Sequence, residues 1–234
     1  MKTLPYSAGL RRNDLLVTLV GLLLLLAWDA VGADLAVVRS FGGADGFAWR
    51  EQWLTRSLLH EGGRALGWLV LLLLIVDAMR PLLAAQSGGP SRATRARWIG
   101  VVLAGVLLVP SIKRVSATSC PWDLAEFGGI ASYVGHWQWG VADGGPGHCF
   151  PSGHAVAAFA FFAVYCLWRD PRPNAARWWL VGVIVVGGAF GWAQLVRGAH
   201  YPSHTLWSAW LCWALCVAAV ALRRRPAVLL AGTA

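Results

Sequence analysis

The chain has 234 residues, of which 57% are hydrophobic, only 13% are charged and 15 are tryptophan. A soluble domain of this length cannot hide so much apolar surface, so the composition is that of a membrane protein. The formal net charge of +9 does not point to nucleic acid: no basic-aromatic binding motif accompanies it, and basic residues gathered on one side of a bilayer give the same total.

A bilayer-spanning helix needs about 20 mostly apolar residues. Six stretches fit, at residues 15–38, 63–79, 98–112, 154–168, 178–196 and 203–222. The first lacks a clear small-residue cleavage site and reads as a retained anchor. In the following connection Trp49, Trp53, Ser57 and His60 fall at helical spacing among Arg50, Glu51, Arg56 and Glu61, which predicts an amphipathic helix on the membrane surface. The second connection carries Arg80, Arg92, Arg95 and Arg97 around Gly88, Gly89 and Pro90, with no acidic residue. Arg169, Arg172 and Arg177 outnumber Asp170 in the fourth, and Lys2, Arg11, Arg12 and Arg223, Arg224 and Arg225 flank the two ends. This asymmetry puts both termini in the cytoplasm and residues 39–62, 113–153 and 197–202 together on the outer face. All six histidines lie at or near that face, so chemistry is expected there.

No internal repeat and no linker divides the chain. The prediction is an all-α, polytopic, six-transmembrane-helix bundle forming one membrane-embedded domain over residues 1–234. Trp98, Trp168, Trp178 and Trp179, beside arginines at span ends, are expected to be interfacial anchors. Asp34 and Asp77, near span ends, are expected to be structural, and Asp29 has no evident role. Cys166, Cys212 and Cys216 read as packing residues. Cys120 and Cys149 share an outer loop, where an oxidising compartment permits a disulfide.

Two outer segments carry chemistry. In Cys149-Phe150-Pro151-Ser152-Gly153-His154, ahead of a helix starting near Ala155, Pro151 suits a first helical turn. Ser152 adds a hydroxyl, Gly153 allows close approach to the backbone, and His154 adds a titratable group, together a candidate anion site. The second runs from Gln194 to His204. Arg197 and His200 are three apart and His200 and His204 four apart, spacings that align on one helical face, and Pro202 suits a helix start.

These segments resemble the type 2 phosphatidic acid phosphatase superfamily, membrane lipid phosphatases related in fold to vanadium haloperoxidases. Pro151-Ser152-Gly153-His154 matches the second family motif in full. The first, Lys, six residues, Arg-Pro, is met by Lys113 and Pro121, but cysteine stands at Cys120. In the third, Ser-Arg, five residues, His, three residues, Asp, His200 matches, whereas Ala193 and Gln194 occupy the Ser-Arg positions and His204 the acid. Arg197, one turn nearer His200, is the substitute guanidinium. Arg114 is expected to offset in part the arginine lost at Cys120, and His204 to orient His200 through a hydrogen bond.

The resemblance implies that His200 attacks phosphorus to form a phosphohistidine while His154 protonates the leaving group, and that Lys113, Arg114, Ser152, Gly153 and Arg197 hold the phosphate. It requires neither metal nor cofactor. Bacterial members of the family act on lipid A phosphates, undecaprenyl diphosphate or phosphatidylglycerol phosphate, which implies a phosphorylated membrane lipid as partner. It likewise implies a multi-pass protein of the bacterial cytoplasmic (inner) membrane with a periplasmic site. Three rival readings accompany this one: a phosphotransferase with a lipid acceptor, a non-catalytic phospholipid-binding or transport protein, and a metal centre on His148, His154, His200 and His204.

Overall fold

The computed structural model describes residues 10–79 and 89–222; Lys2, Arg80, Gly88 and Arg223 to Arg225 lie outside them. In chain order the helices are α1 Arg12–Ala30, α2 Ala33–Val38, α3 Gly63–Met79, α4 Arg92–Val115, α5 Val156–Phe159, α6 Phe162–Trp168, α7 Pro173–Val196 and α8 Pro202–Ala221. A π-helical stretch, Leu54–Gly62, runs directly into α3, and a hairpin of β1 Gly42–Gly43 and β2 Gly46–Phe47 precedes it, with Gly42 opposite Phe47. The fold is an all-α polytopic bundle. Among the described residues five helices are long and apolar enough to cross a bilayer: α1, Leu54–Met79, α4, α7 and α8.

The fourth predicted span is α5 and α6, together about 20 Å long at 1.5 Å per residue, short of the roughly 30 Å of a hydrocarbon core. Every residue from Ala158 to Val164 is buried, because α3, α4, α7 and α8 pack around this pair. Its unbroken apolar character reflects burial in protein and not contact with lipid. Where lipid offers no hydrophobic drive for helices to associate, close packing must hold them. Gly187 of α7 admits the Phe159 ring, and Gly191 admits Thr205 of α8; a Cβ at either would lie within 2.4 Å of its neighbour.

The predicted first span is two helices. Gly32, at φ +64°, turns the chain after α1. The turn brings Asp34 onto the start of α8, where its carboxylate accepts the Ser203 N–H at 3.0 Å, the Ser203 hydroxyl, and Trp28 Nε1–H at 2.9 Å. Asp34 thus caps α8 from another helix. Asp29 also has a structural place: it accepts Trp137 Nε1–H at 2.8 Å and Trp207 Nε1–H at 2.9 Å, and lies 3.2 Å from His136 Nε2.

The amphipathic surface helix predicted across Trp49 to His60 does not form as a separate element. Its first residues form a turn and bend after the hairpin; the rest is the π-helical head of α3. At the opposite end of the bundle, Asp14 accepts Arg169 Nη1–H at 2.8 and 3.0 Å and Asp77 pairs with Arg95. Two predicted anchors are core residues instead: Trp98 is buried against this end, and Trp168 is buried with the guanidiniums of Arg95 and Arg172 over its ring.

Candidate active site

The motif segments meet where the N-terminal ends of α3 and α8 and the C-terminal ends of α4 and α7 surround the entry to α5. The Pro-Ser-Gly-His segment is clamped from two sides: Ser152 N–H donates to the His204 carbonyl at 3.0 Å, and the Ser152 carbonyl accepts the Ser208 hydroxyl at 2.9 Å. The Ser152 amide is therefore committed to α8, and α5 begins at Val156. The helix thus starts where the sequence placed it, near Ala155, but the Ser152 amide is not available to an anion. The segment also presents side chains. Ser152 is fully buried and its hydroxyl has no partner among the described residues; at Gly153 a Cβ would sit 3.7 Å from Lys113 Cδ, so the lysine stem passes over this glycine.

His154 Nε2 lies 3.0 Å from the Leu59 carbonyl, which fixes the proton on Nε2 and leaves Nδ1 as the free, buried nitrogen. The carbonyl comes from the π-helical stretch, whose wider hydrogen-bonding pattern changes which groups of the turn face inward. Burial, then the neighbouring His60, pushes the His154 pKa down to about 4, against a smaller opposing effect of the Leu59 carbonyl. His200 is also held well below the ordinary histidine range, by burial first and then by the charge of Lys113.

These shifts carry a consequence for stability. Unfolding restores both histidines to the ordinary value of about 6.5, so the unfolded chain binds more protons than the folded one below that pH. Stability is complete above about pH 6.5 and is lost as the pH falls toward 4, by at most about 1.4 kcal/mol per pH unit for each histidine. Thermal unfolding in detergent should show a midpoint that drops between pH 7 and 4.5 and drops less in His154→Phe. A flat midpoint across that window contradicts the burial of neutral imidazoles.

His200 does not hydrogen-bond to His204. Their rings stand edge to face with centroids 5.8 Å apart, and His204 Nδ1 lies 3.0 Å from the Cys149 carbonyl. His200 Nδ1 faces the same residue, 3.5 Å from Cys149 Sγ. Cys149 therefore stands between the two histidines and meets the Nδ1 edge of each, leaving Nε2 of His200 for attack. The direct orienting contact expected of His204 is replaced by one through Cys149.

Cys149 is joined to Cys120 in a disulfide that closes 29 residues of loop. The bridge ties the segment after Lys113 to the second motif beside His200. The double substitution Cys120→Ala, Cys149→Ala is expected to cost about 3 to 4 kcal/mol of stability through the freed loop. It should also lower kcat at least tenfold as His200 loses its neighbour. Unchanged kcat in the folded variant would show that the bridge only braces the loop.

Arg197 is buried; its Nε–H donates to the Arg50 carbonyl at 2.8 Å, while Nη1 has no partner among the described residues. The bend after the hairpin thus aims the guanidinium. Arg114 does not join the site. It is exposed, about 100° around α4 from Lys113. His148 is exposed as well. Cys120, Cys149 and His200 cluster closely enough to hold a metal, but both sulfurs are spent in the disulfide.

Two participants escape motif reading. Gln194, at the position of the family arginine, is buried with its amide nitrogen 2.9 Å from His60 Nδ1, and the His60 ring lies 4.5 Å from that of His154. The only signal in the sequence was a histidine on the outer face; its direction depends on the π-helical register.

Four buried groups of the motif segments, Ser152 Oγ, His154 Nδ1, Arg197 Nη1 and His204 Nε2, lack partners among the described residues, and unpaired buried polar groups need an explanation. Lys113, Arg197 and the histidines make the surroundings receptive to an oxyanion. No curated protein and no solved structure matches the chain. The family model of the PAP2 superfamily matches residues 95–226, more than half of the chain and all three motif segments. With the motif residues of the match meeting at one end of these helices, the chain belongs to the PAP2 superfamily.

Proposed function

We propose that the protein is a membrane lipid phosphatase that removes the terminal phosphoryl group of a lipid monophosphate or diphosphate through a phosphohistidine on His200. Family membership supports phosphoryl transfer on a lipid-type substrate in general. The observation that carries the finer reading is that the charges of Lys113 and Arg197 act on the buried imidazoles of His200 and His154, while Ser152 Oγ and His154 Nδ1 are buried without partners among the described residues.

In this reading His200 Nε2 attacks phosphorus and the P–O bond to the lipid breaks. His154, which acquires a proton when phosphate charge enters beside it, gives that proton from Nδ1 to the leaving oxygen. Water then attacks the phosphohistidine, His154 Nδ1 takes its proton, and the P–N bond breaks to release inorganic phosphate. Lys113, Arg197 and Ser152 hold the equatorial oxygens as charge redistributes.

A lipid substrate is supported by a cavity of about 250 Å³ that starts at Gly153 and runs inward between α3, α4 and α5 along Leu71, Val102, Val106 and Phe161, with Arg64 at its lining. The distribution of arginines and the loop disulfide support cytoplasmic termini and a periplasmic site; the resemblance to bacterial lipid phosphatases supports the bacterial inner membrane, and the lack of a linker in the sequence supports one domain over residues 1–234. The test incubates purified protein with lipid A, undecaprenyl diphosphate and phosphatidylglycerol phosphate, following free phosphate and phosphorylated lipid, with His200→Ala as control. Release of phosphate supports hydrolysis, and phosphorylated lipid without free phosphate supports transfer. Absence of both overturns the enzymatic reading.

A further inference from the structure

We propose that His60, held by Gln194, is a phosphate-binding residue; the inference rests on the phosphoryl-transfer reading above. Gln194 is 2% exposed, and its amide nitrogen donates to His60 Nδ1 at 2.9 Å. This pairing leaves Nδ1 without a proton and places the remaining one on Nε2, so His60 offers an N–H while His154, 4.5 Å away ring to ring, offers the lone pair of Nδ1. The two imidazoles form one wall of the site with opposite roles.

Among the described residues Nε2 of His60 has no hydrogen-bond partner. The charged groups acting on the ring are Arg197, Arg64 and Lys113, opposed by Glu61. A half-buried N–H donor among three cations lacks a protein acceptor and suits an anion; a phosphoryl oxygen has the right charge and size. His60 and the Leu59 carbonyl that holds His154 are adjacent in the π-helical stretch, so one element orients the proton-transfer group and supplies a phosphate donor.

The test is calorimetric titration of full-length protein in detergent with inorganic phosphate and with orthovanadate, alongside kinetics on a lipid phosphate. His60→Phe keeps a flat ring against His154 but has no N–H; it should weaken phosphate binding about tenfold or more, the loss of one hydrogen bond to a charged group. It should raise KM more than it lowers kcat. His60→Asn retains a donor and should recover most of the affinity, and Gln194→Leu should lose several-fold by freeing the ring.

His60→Phe within twofold of wild type, or a folded His60→Asn no tighter than His60→Phe, overturns the assignment. If His60→Phe does not fold, the comparison passes to His60→Asn and Gln194→Leu, and equal affinity of both with wild type overturns it. Wild type that binds phosphate in a His60-dependent way but hydrolyses no lipid phosphate removes the proposed function and leaves the assignment standing. Wild type that binds neither anion overturns it.

Discussion

His200→Ala should lower kcat on a lipid phosphate by about 10,000-fold or more, because the proposed covalent step has no other nucleophile. KM should change little, since the alanine leaves Lys113, Arg197 and Ser152 in place to hold the phosphate. Alanine also leaves the Cys149 edge without its imidazole, a modest packing loss beside the loss of bond formation. The check is twofold. Steady-state rates measure the loss, and rapid quenching of wild type with labelled substrate should trap a phosphoprotein that is stable to base and labile to acid, absent from the variant. Residual turnover above one-hundredth of wild type would remove His200 from the nucleophile role whatever else the site does.

His154→Asn should lose about 1,000-fold in kcat on a lipid substrate, within the range of general acid-base catalysis. Asparagine preserves a donor toward the Leu59 carbonyl but has no titratable group. The sign of the pH effect follows from the lowered pKa of about 4: above it the free imidazole is neutral, so its protonated fraction falls tenfold per pH unit. Wild-type kcat/KM for a phosphate dianion should therefore decline as the pH rises through neutrality, and the decline should disappear in the variant. Leaving-group dependence separates the acid from the base role. With p-nitrophenyl phosphate, whose phenolate departs without a proton, His154→Asn should give a burst of nitrophenolate equal to the enzyme present, then slow turnover as water attack lacks its base. An equal loss on both substrates with no burst would mean that His154 only shapes the site.

Much of this arrangement is legible from residues alone, where the information is local. The apolar runs, the arginine asymmetry and the Pro-Ser-Gly-His and His200 segments each declare themselves within a few positions. The pairing of Cys120 with Cys149 follows from their sharing a loop. Arg114 illustrates the limit of adjacency, because a neighbour of Lys113 on a helix points about 100° away from it. Gln194 is a second case. Against the family motif it reads as a loss, yet in the folded chain it anchors His60, a residue more than a hundred positions earlier.

The sequence by itself determined the solvent in which this protein folds, the approximate helices and the candidate groups for the site. Each depends on composition or on spacing within one helical turn. Tertiary structure alone decided which groups face one another. The π-helical register carries His60 and the Leu59 carbonyl to His154, the Gly32 turn brings Asp34 to cap α8, and Cys149, not His204, meets the Nδ1 edge of His200. It also decided that α5 and α6 are walled by protein and that Trp98 and Trp168 are core residues, since an apolar side chain looks the same whether lipid or another helix covers it.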